Sequence, residues 1–133
     1  IGTEFLVAPA LAMGCDGVIA GLHNVCPQIA VELYNSVCEG DLLRAARLQQ
    51  HLIDLFSIFR VDGIWGGFEV ALRHLGICQK MTVKPFEPIT DPAAEDRIKQ
   101  ILNTHLAAGE ELAKTSPRKK LTDARRTSPT IPS

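Results

Sequence analysis

A short apolar run between glycines, Gly17-Val18-Ile19-Ala20-Gly21-Leu22, lies between two helical patterns and has no visible partner in the chain. That is how a strand of a parallel sheet, covered on both faces, reads in sequence. Its main-chain N–H and C=O groups must pair with neighbouring strands, because burying them unpaired is costly. No second good strand candidate is present. The pattern therefore predicts a piece of a larger α/β fold rather than a self-sufficient domain.

The rest of the chain reads as helices with clear punctuation. Glu4 to Met13 is apolar and alanine-rich, with Phe5, Ala8, Pro9 and Ala12 available for one face. Pro9 shifts or kinks its start, and Gly14 suits a left-handed stop. After the strand, His23 to Pro27 makes a turn, with Pro27 fit for a first helical position. Pro27 to Glu39 carries Ile29, Leu33 and Val37 on one stripe. Gly40 ends that helix and Asp41 caps the next, which runs to about Phe59 with Ala45, Leu48, Leu52, Leu55 and Phe56 in helical period. Asp62-Gly63 breaks it before a helix over Trp65–Leu75, closed by Gly76. Ile77 to Thr90, with Pro85 and Pro88, reads as an extended surface connector. Asp91-Pro92 opens a last helix, its buried stripe Ile98, Ile101, Leu102 and Leu106. Helix, strand, helix, then a helix cluster is what the last units of a parallel α/β barrel with a helical appendix look like.

Composition narrows the classes. With 133 residues, 46% hydrophobic and 22% charged, the chain can build a real core. A formal net charge of −1 gives no global reason to expect nucleic acid or an anionic membrane. The basic residues Arg118, Lys119, Lys120, Arg125 and Arg126 concentrate in a Ser/Thr/Pro-rich stretch, 115–133, read as a disordered basic tail. No apolar stretch approaches a membrane span. The start lacks the basic region of a secretory signal, so cytoplasm is the default. It also lacks a methionine, the expectation for a chain that begins within a longer protein or after processing.

Candidate chemistry is sparse. His23 and Asn24 follow the carboxyl end of the strand, where α/β folds place ligands; they also suit a loop-packed His and a turn-forming Asn. Glu4 at a helix start either meets a ligand or favours the helix dipole. Cys15, His23, Cys26 and Cys38 match no zinc spacing, so no metal or cofactor is assigned. The cysteines, Cys78 included, read as small buried hydrophobes in a reducing compartment. Lys80, Lys84, Lys99, Lys114, Lys119 and Lys120 do not follow a strand in an apolar setting that would make a Schiff-base lysine. No phosphate-binding glycine loop is present. On residues alone the chain lacks a complete active site, and no catalytic residue is assigned.

The stretch from Gly14 to Pro27 resembles the eighth strand and its exit in the dihydrodipicolinate synthase / N-acetylneuraminate lyase family. Gly2-Thr3-Glu4 resembles the Gly-x-acidic end of strand seven. Glu39-Gly40-Asp41, followed by Ala45-Ala46-Arg47-Leu48-Gln49, is similar to the family's helix junction. Lys84-Pro85-Phe86-Glu87-Pro88 looks like the lyase-branch connector, and Asn24-Val25-x-Pro27 like the synthase branch. The resemblance runs from Ile1 to about Gly109.

It implies a (β/α)8 TIM barrel with a C-terminal helical extension, usually tetrameric. It also implies class I aldolase chemistry, with a lysine forming a Schiff base with pyruvate or a 2-oxo sugar acid. A proton-shuttling tyrosine and a Gly-Thr-Thr/Ser-type carboxylate loop belong to earlier strands. Tyr34, in a helix after strand eight, cannot be given that role. Carried over are substrate-binding positions only. Gly2 lines the pocket, Glu4 is the acidic residue that meets substrate hydroxyls, and the Ile19 carbonyl faces the Schiff-base region. Gly21 stands where the lyase branch has a contacting serine. His23 occupies a varying position.

The expectation is thus the end of strand 7, helix 7, strand 8 and helix 8 over 1–40, then a helical extension over 41–114. Such a chain is the C-terminal portion of a homo-oligomeric Schiff-base lyase, with pyruvate or a 2-oxo acid as partner of the intact parent and neither nucleic acid nor membrane. The rival is a non-catalytic, mostly helical module derived from that fold that associates with itself.

Overall fold

The computed structural model describes residues 1–115, and within them the protein is helical. The expected basic tail lies, from residue 116, outside the described residues. A single 3-10 turn, Glu4–Leu6, leads into α1, Val7–Ala12. A second 3-10 turn, Gly21–Asn24, precedes α2, Pro27–Glu39. Then come α3, Leu42–Leu55, with a 3-10 turn at Phe56–Arg60, and α4, Ile64–His74. The last long helix is α5, Pro92–Ile101, and α6, Ala107–Lys114, joined by a π turn at Leu102–Leu106.

The punctuation acts as its residue types demand. Gly14, Gly40, Gly63 and Gly76 all take positive φ, between 74° and 100°, where a side chain would be strained. Asp41 accepts from the Arg44 N–H at 3.0 Å, and Asp91 from the Ala93 N–H at 3.0 Å, each satisfying an orphan donor of a first turn. Pro9 falls in the first turn of α1, where its missing N–H costs nothing.

The core is the α2–α3 pair with the last helix laid across it. Ile29 and Leu33 of α2 and Leu48, Leu52 and Leu55 of α3 are fully buried, as are Ile58 and Ile98. Gly109 makes the crossing possible: a Cβ there would collide with Ile29 and press on His51. Gly67 does the same for α4, whose backbone lies against the Ile58 carbonyl. Arg44 joins three elements by pairing with Glu32 at 3.1 Å and donating to the Leu112 and Ala113 carbonyls at the end of α6.

Four expectations are corrected. Gly17–Leu22 is not a β-strand: residues 15–20 are extended, Gly21 and Leu22 enter the 3-10 turn, and no β-strand occurs among the described residues. A strand exists through its ladder, and Ile1 supplies a single bridging residue. The inward face of α1 is Val7, Ala10 and Leu11, not Phe5, Ala8, Pro9 and Ala12, because the preceding 3-10 turn shifts the helical phase. Among the cysteines Cys26 is buried, whereas Cys15 is exposed and Cys38 and Cys78 are half-buried; all four are free thiols. Finally, the 77–90 connector is not wholly at the surface, since Thr82 and Ile89 are buried.

Glu69 of α4 explains that last point. Its carboxylate accepts from the N–H of Met81 at 2.8 Å and from the N–H of Thr82, pinning the connector to the helix. Burial alone would raise the Glu69 pKa. The hydroxyl and N–H of Thr82, the Met81 N–H and the Arg73 guanidinium outweigh it and hold the carboxyl below its ordinary range.

Candidate functional site

The positions singled out by sequence converge where the first residues meet the extended segment. The Ile1 amino group donates to the Gly17 carbonyl at 3.1 Å, and the Ile19 N–H donates to the Ile1 carbonyl at 2.9 Å. One residue bonded to positions two apart on its neighbour is the pattern of parallel pairing. Gly2 lies alongside: a Cβ there would stand 3.5 Å from the Ile19 carbonyl oxygen. The Ile19 side chain is 90% exposed, and Gly2 and Gly21 are exposed as well.

Glu4, in contrast, is buried, and its Oε1 accepts from the Leu22 N–H at 3.0 Å. It thereby fastens the exit of the extended segment to the first turn. The turn itself is clamped by Gln49 of α3. Gln49 donates through Nε2 to the Glu4 carbonyl at 2.7 Å, and its Oε1 accepts from the Ala8 N–H at 2.9 Å. Sequence reasoning gave Gln49 no role. The available signal was a polar residue within the buried stripe of α3, next to Leu48 and one turn before Leu52.

The turn after the extended segment is self-supporting. Asn24 Nδ2 donates to the Gly21 carbonyl at 3.0 Å, so Asn24 has the turn-forming role its sequence position allowed. Cys26 donates to the Leu22 carbonyl at 3.3 Å, and burial, with Glu4 and Glu110 nearby, pushes its thiol up to about 12. It is therefore a protonated packing residue, with no nucleophilic character at neutral pH.

His23 is held low by burial, against the opposing pull of Glu4, and its Nε2 is enclosed without a hydrogen-bond partner among the described residues. It lines a cavity of about 260 Å³ together with Val7, Val18, Pro27, Val31 and Tyr34. That cavity is largely apolar and offers a neutral imidazole. The cluster around Glu4 thus supplies backbone carbonyls, an anchored carboxylate and a neutral ring: groups that position a ligand rather than groups that attack one.

Comparison with known proteins gives the family and the fold. The Dihydrodipicolinate synthetase family matches residues 1–105. The chain is 30% identical over 104 residues to 4-hydroxy-tetrahydrodipicolinate synthase of Aquifex aeolicus, covering 78% of this chain and 35% of that protein. Against the same enzyme of Archaeoglobus fulgidus it is 30% identical over 105 residues, covering 77% and 35%. Its fold superposes on dihydrodipicolinate synthase of Bacteroides thetaiotaomicron with a TM-score of 0.71 and 27% identity, over 77% of this chain and 36% of that one. It superposes on a Sulfolobus 2-keto-3-deoxygluconate aldolase with a TM-score of 0.75 and 21% identity, over 84% and 38%. Both structural neighbours are TIM-barrel enzymes, of which this chain matches a mostly helical part. The chain spans about a third of the length of the curated relatives it matches. It belongs to the dihydrodipicolinate synthetase family.

Proposed function

We propose that this chain is the C-terminal portion of a class I, Schiff-base aldolase or lyase acting on pyruvate or a 2-oxo acid. In this reading Ile1–Glu4 is the end of the seventh barrel strand and α1 the seventh helix. Gly17–Leu22 takes the place of the eighth strand, whose ladder the preceding strands would complete, and α2 that of the eighth helix. Residues 41–114 are the helical extension, whose exposed faces assemble a homo-oligomer. The observation that carries it is the parallel pairing of Ile1 with Gly17 and Ile19, since a barrel joins its consecutive strands in that sense.

The chemistry divides accordingly. A lysine amine on an earlier strand condenses with the 2-oxo carbon and releases water, and a tyrosine from the same part moves protons. This chain contributes one wall of the pocket. Gly2 leaves room for substrate, the Ile19 carbonyl faces the reacting carbon, and Gly21 keeps the strand exit open. Glu4, anchored through Oε1 to Leu22, turns the rest of its carboxylate toward substrate hydroxyls.

Borohydride reduction in the presence of pyruvate, followed by peptide mass spectrometry, tests the division of labour. The 133-residue chain is expected to remain unmodified and to cleave no 2-oxo sugar acid. A pyruvate-modified lysine within it would overturn the reading.

A second reading is favoured by the completeness of the α2–α3 core, where Ile29, Leu33, Leu48, Leu52 and Leu55 are fully buried. In that reading the chain is a non-catalytic module that self-associates through its extended segment. Sizing at low concentration separates the two, because a self-pairing module gives a defined dimer rather than aggregates or monomers.

A further inference from the structure

A group of metal-ligating side chains stands beyond Gln49 of α3 and makes no hydrogen bond to Glu4 or Leu22. His51 and Asp54 stand at i and i+3 of α3 and so share a face. The π turn Leu102–Leu106 carries His105 toward them. Such turns widen a helix by one residue and occur often at functional positions. One donor atom from each of His51, Asp54 and His105 lies within 4.8 Å of the other two. The Asp54 Oδ2 to His105 Nδ1 distance is 3.6 Å. Ligands bonded to tetrahedral zinc at about 2.0–2.2 Å stand roughly 3.4 Å from one another. Modest rotamer movement brings the set to that spacing.

We propose that His51, Asp54 and His105 form a binding site for a divalent transition-metal ion of the zinc type. Two further features favour an ion over a bare ion pair. The Nδ1 atom of His51 is buried without a hydrogen-bond partner among the described residues, an unpaired polar atom on one of the three candidate ligands. Asp54 Oδ1 accepts from Gln50 Nε2 at 2.9 Å, which orients the carboxylate as outer-shell partners orient metal ligands. Two imidazoles and one carboxylate suit Zn²⁺, Co²⁺ or Ni²⁺, whereas Mg²⁺ and Ca²⁺ call for oxygen ligands. The Asp54 and His105 side chains are each about a third exposed, so an ion can arrive from solvent and water can complete its shell. An ion held there fastens α3 to the last helix, and it stabilises the folded chain because it binds that state alone.

The test is titration of the metal-free 133-residue chain with Co²⁺, read by its visible absorption, and then displacement by Zn²⁺. The expected result is one equivalent bound, with tetrahedral or five-coordinate absorption and no sulfur-to-cobalt charge-transfer band. Affinity falls by about tenfold or more in His105→Gln and in Asp54→Asn, at least the scale of outer-shell losses. It is unchanged in His74→Gln, whose imidazole is exposed and pairs with Asn103. Circular dichroism of both variants checks that each is folded, and the half-exposed positions make either one usable. Thiolate absorption, undiminished affinity in folded His105→Gln or Asp54→Asn, or no saturable binding overturns the site.

Discussion

Residues 1–26 are richer in apolar residue types than residues 27–114, yet they leave large apolar side chains in solvent. In the second region each helix satisfies its own main chain, and the stripes on α2 and α3 are free to close on one another. Ile29, Leu33 and Leu52 reach complete burial there. In the first region α1 is short, and the extended segment depends on neighbours for its main-chain bonds. Met13 and Ile19 remain 88% and 90% exposed. The lesson is that local periodicity suffices for a helix-on-helix core, whereas an extended segment acquires an inside only from other strands. The two regions still share one apolar core, in which Val7, Leu11 and Leu22 pack with Ile29, Leu33 and Leu52, and Gln49 adds polar links to Glu4 and Ala8.

The largest expected effect lies in the self-contained region. Leu52→Ala removes a fully buried side chain from the centre of α3. It should cost about 2–5 kcal/mol, as large-to-small changes in tight cores do. Urea unfolding followed by circular dichroism at 222 nm measures it. A loss below about 1 kcal/mol would mean that this core collapses around the gap and is no better packed than the first region.

Acid should separate the two regions by the pH at which each weakens. Both His23 and Glu69 have folded pKa values below their unfolded ones. The contribution of each is therefore complete above the unfolded pKa and is lost as pH falls through the folded value. For His23 the loss begins near pH ~6.5 and for Glu69 near ~4.3, the ordinary values of the two side chains. Hydrogen exchange should report early loosening of the 21–26 turn on mild acidification and release of the 81–82 connector only under stronger acid. His23→Gln should abolish the first step and Glu69→Gln the second. Simultaneous loosening in the native chain would erase the distinction.

Much of the helical region was legible because its signals are local. The glycines at 40 and 76, the aspartate caps at 41 and 91, and the stripe Ile29–Leu33–Val37 each act within one or two turns. The phase of α1 was not legible, since the 3-10 turn before it moves every position by a fraction of a turn. Of the run Gly17–Leu22, read as a strand, Ala20 is extended while Gly21 and Leu22 turn, and status as a strand depended on partners outside the run. At the candidate site Gly2 stands beside the Ile19 carbonyl, a proximity between residues 17 positions apart that no local pattern encodes. The Gln49 clamp and the approach of His105 to His51 and Asp54 are tertiary: they join residues more than forty positions apart, and no spacing rule encodes them.

Ile19 gives the smallest effect and the sharpest comparison. In the 133-residue chain its side chain touches mostly water, so Ile19→Ser should change stability by no more than about 0.5 kcal/mol, the range of surface substitutions. The same change in a longer polypeptide that carries the preceding barrel strands should cost what a buried isoleucine costs, about 2–5 kcal/mol. Parallel urea titrations of the two forms make the measurement. A core-sized penalty in the short chain would mean that the extended segment already has a covering partner, such as a second copy. That partner would then show as a concentration-dependent midpoint, absent in the serine variant.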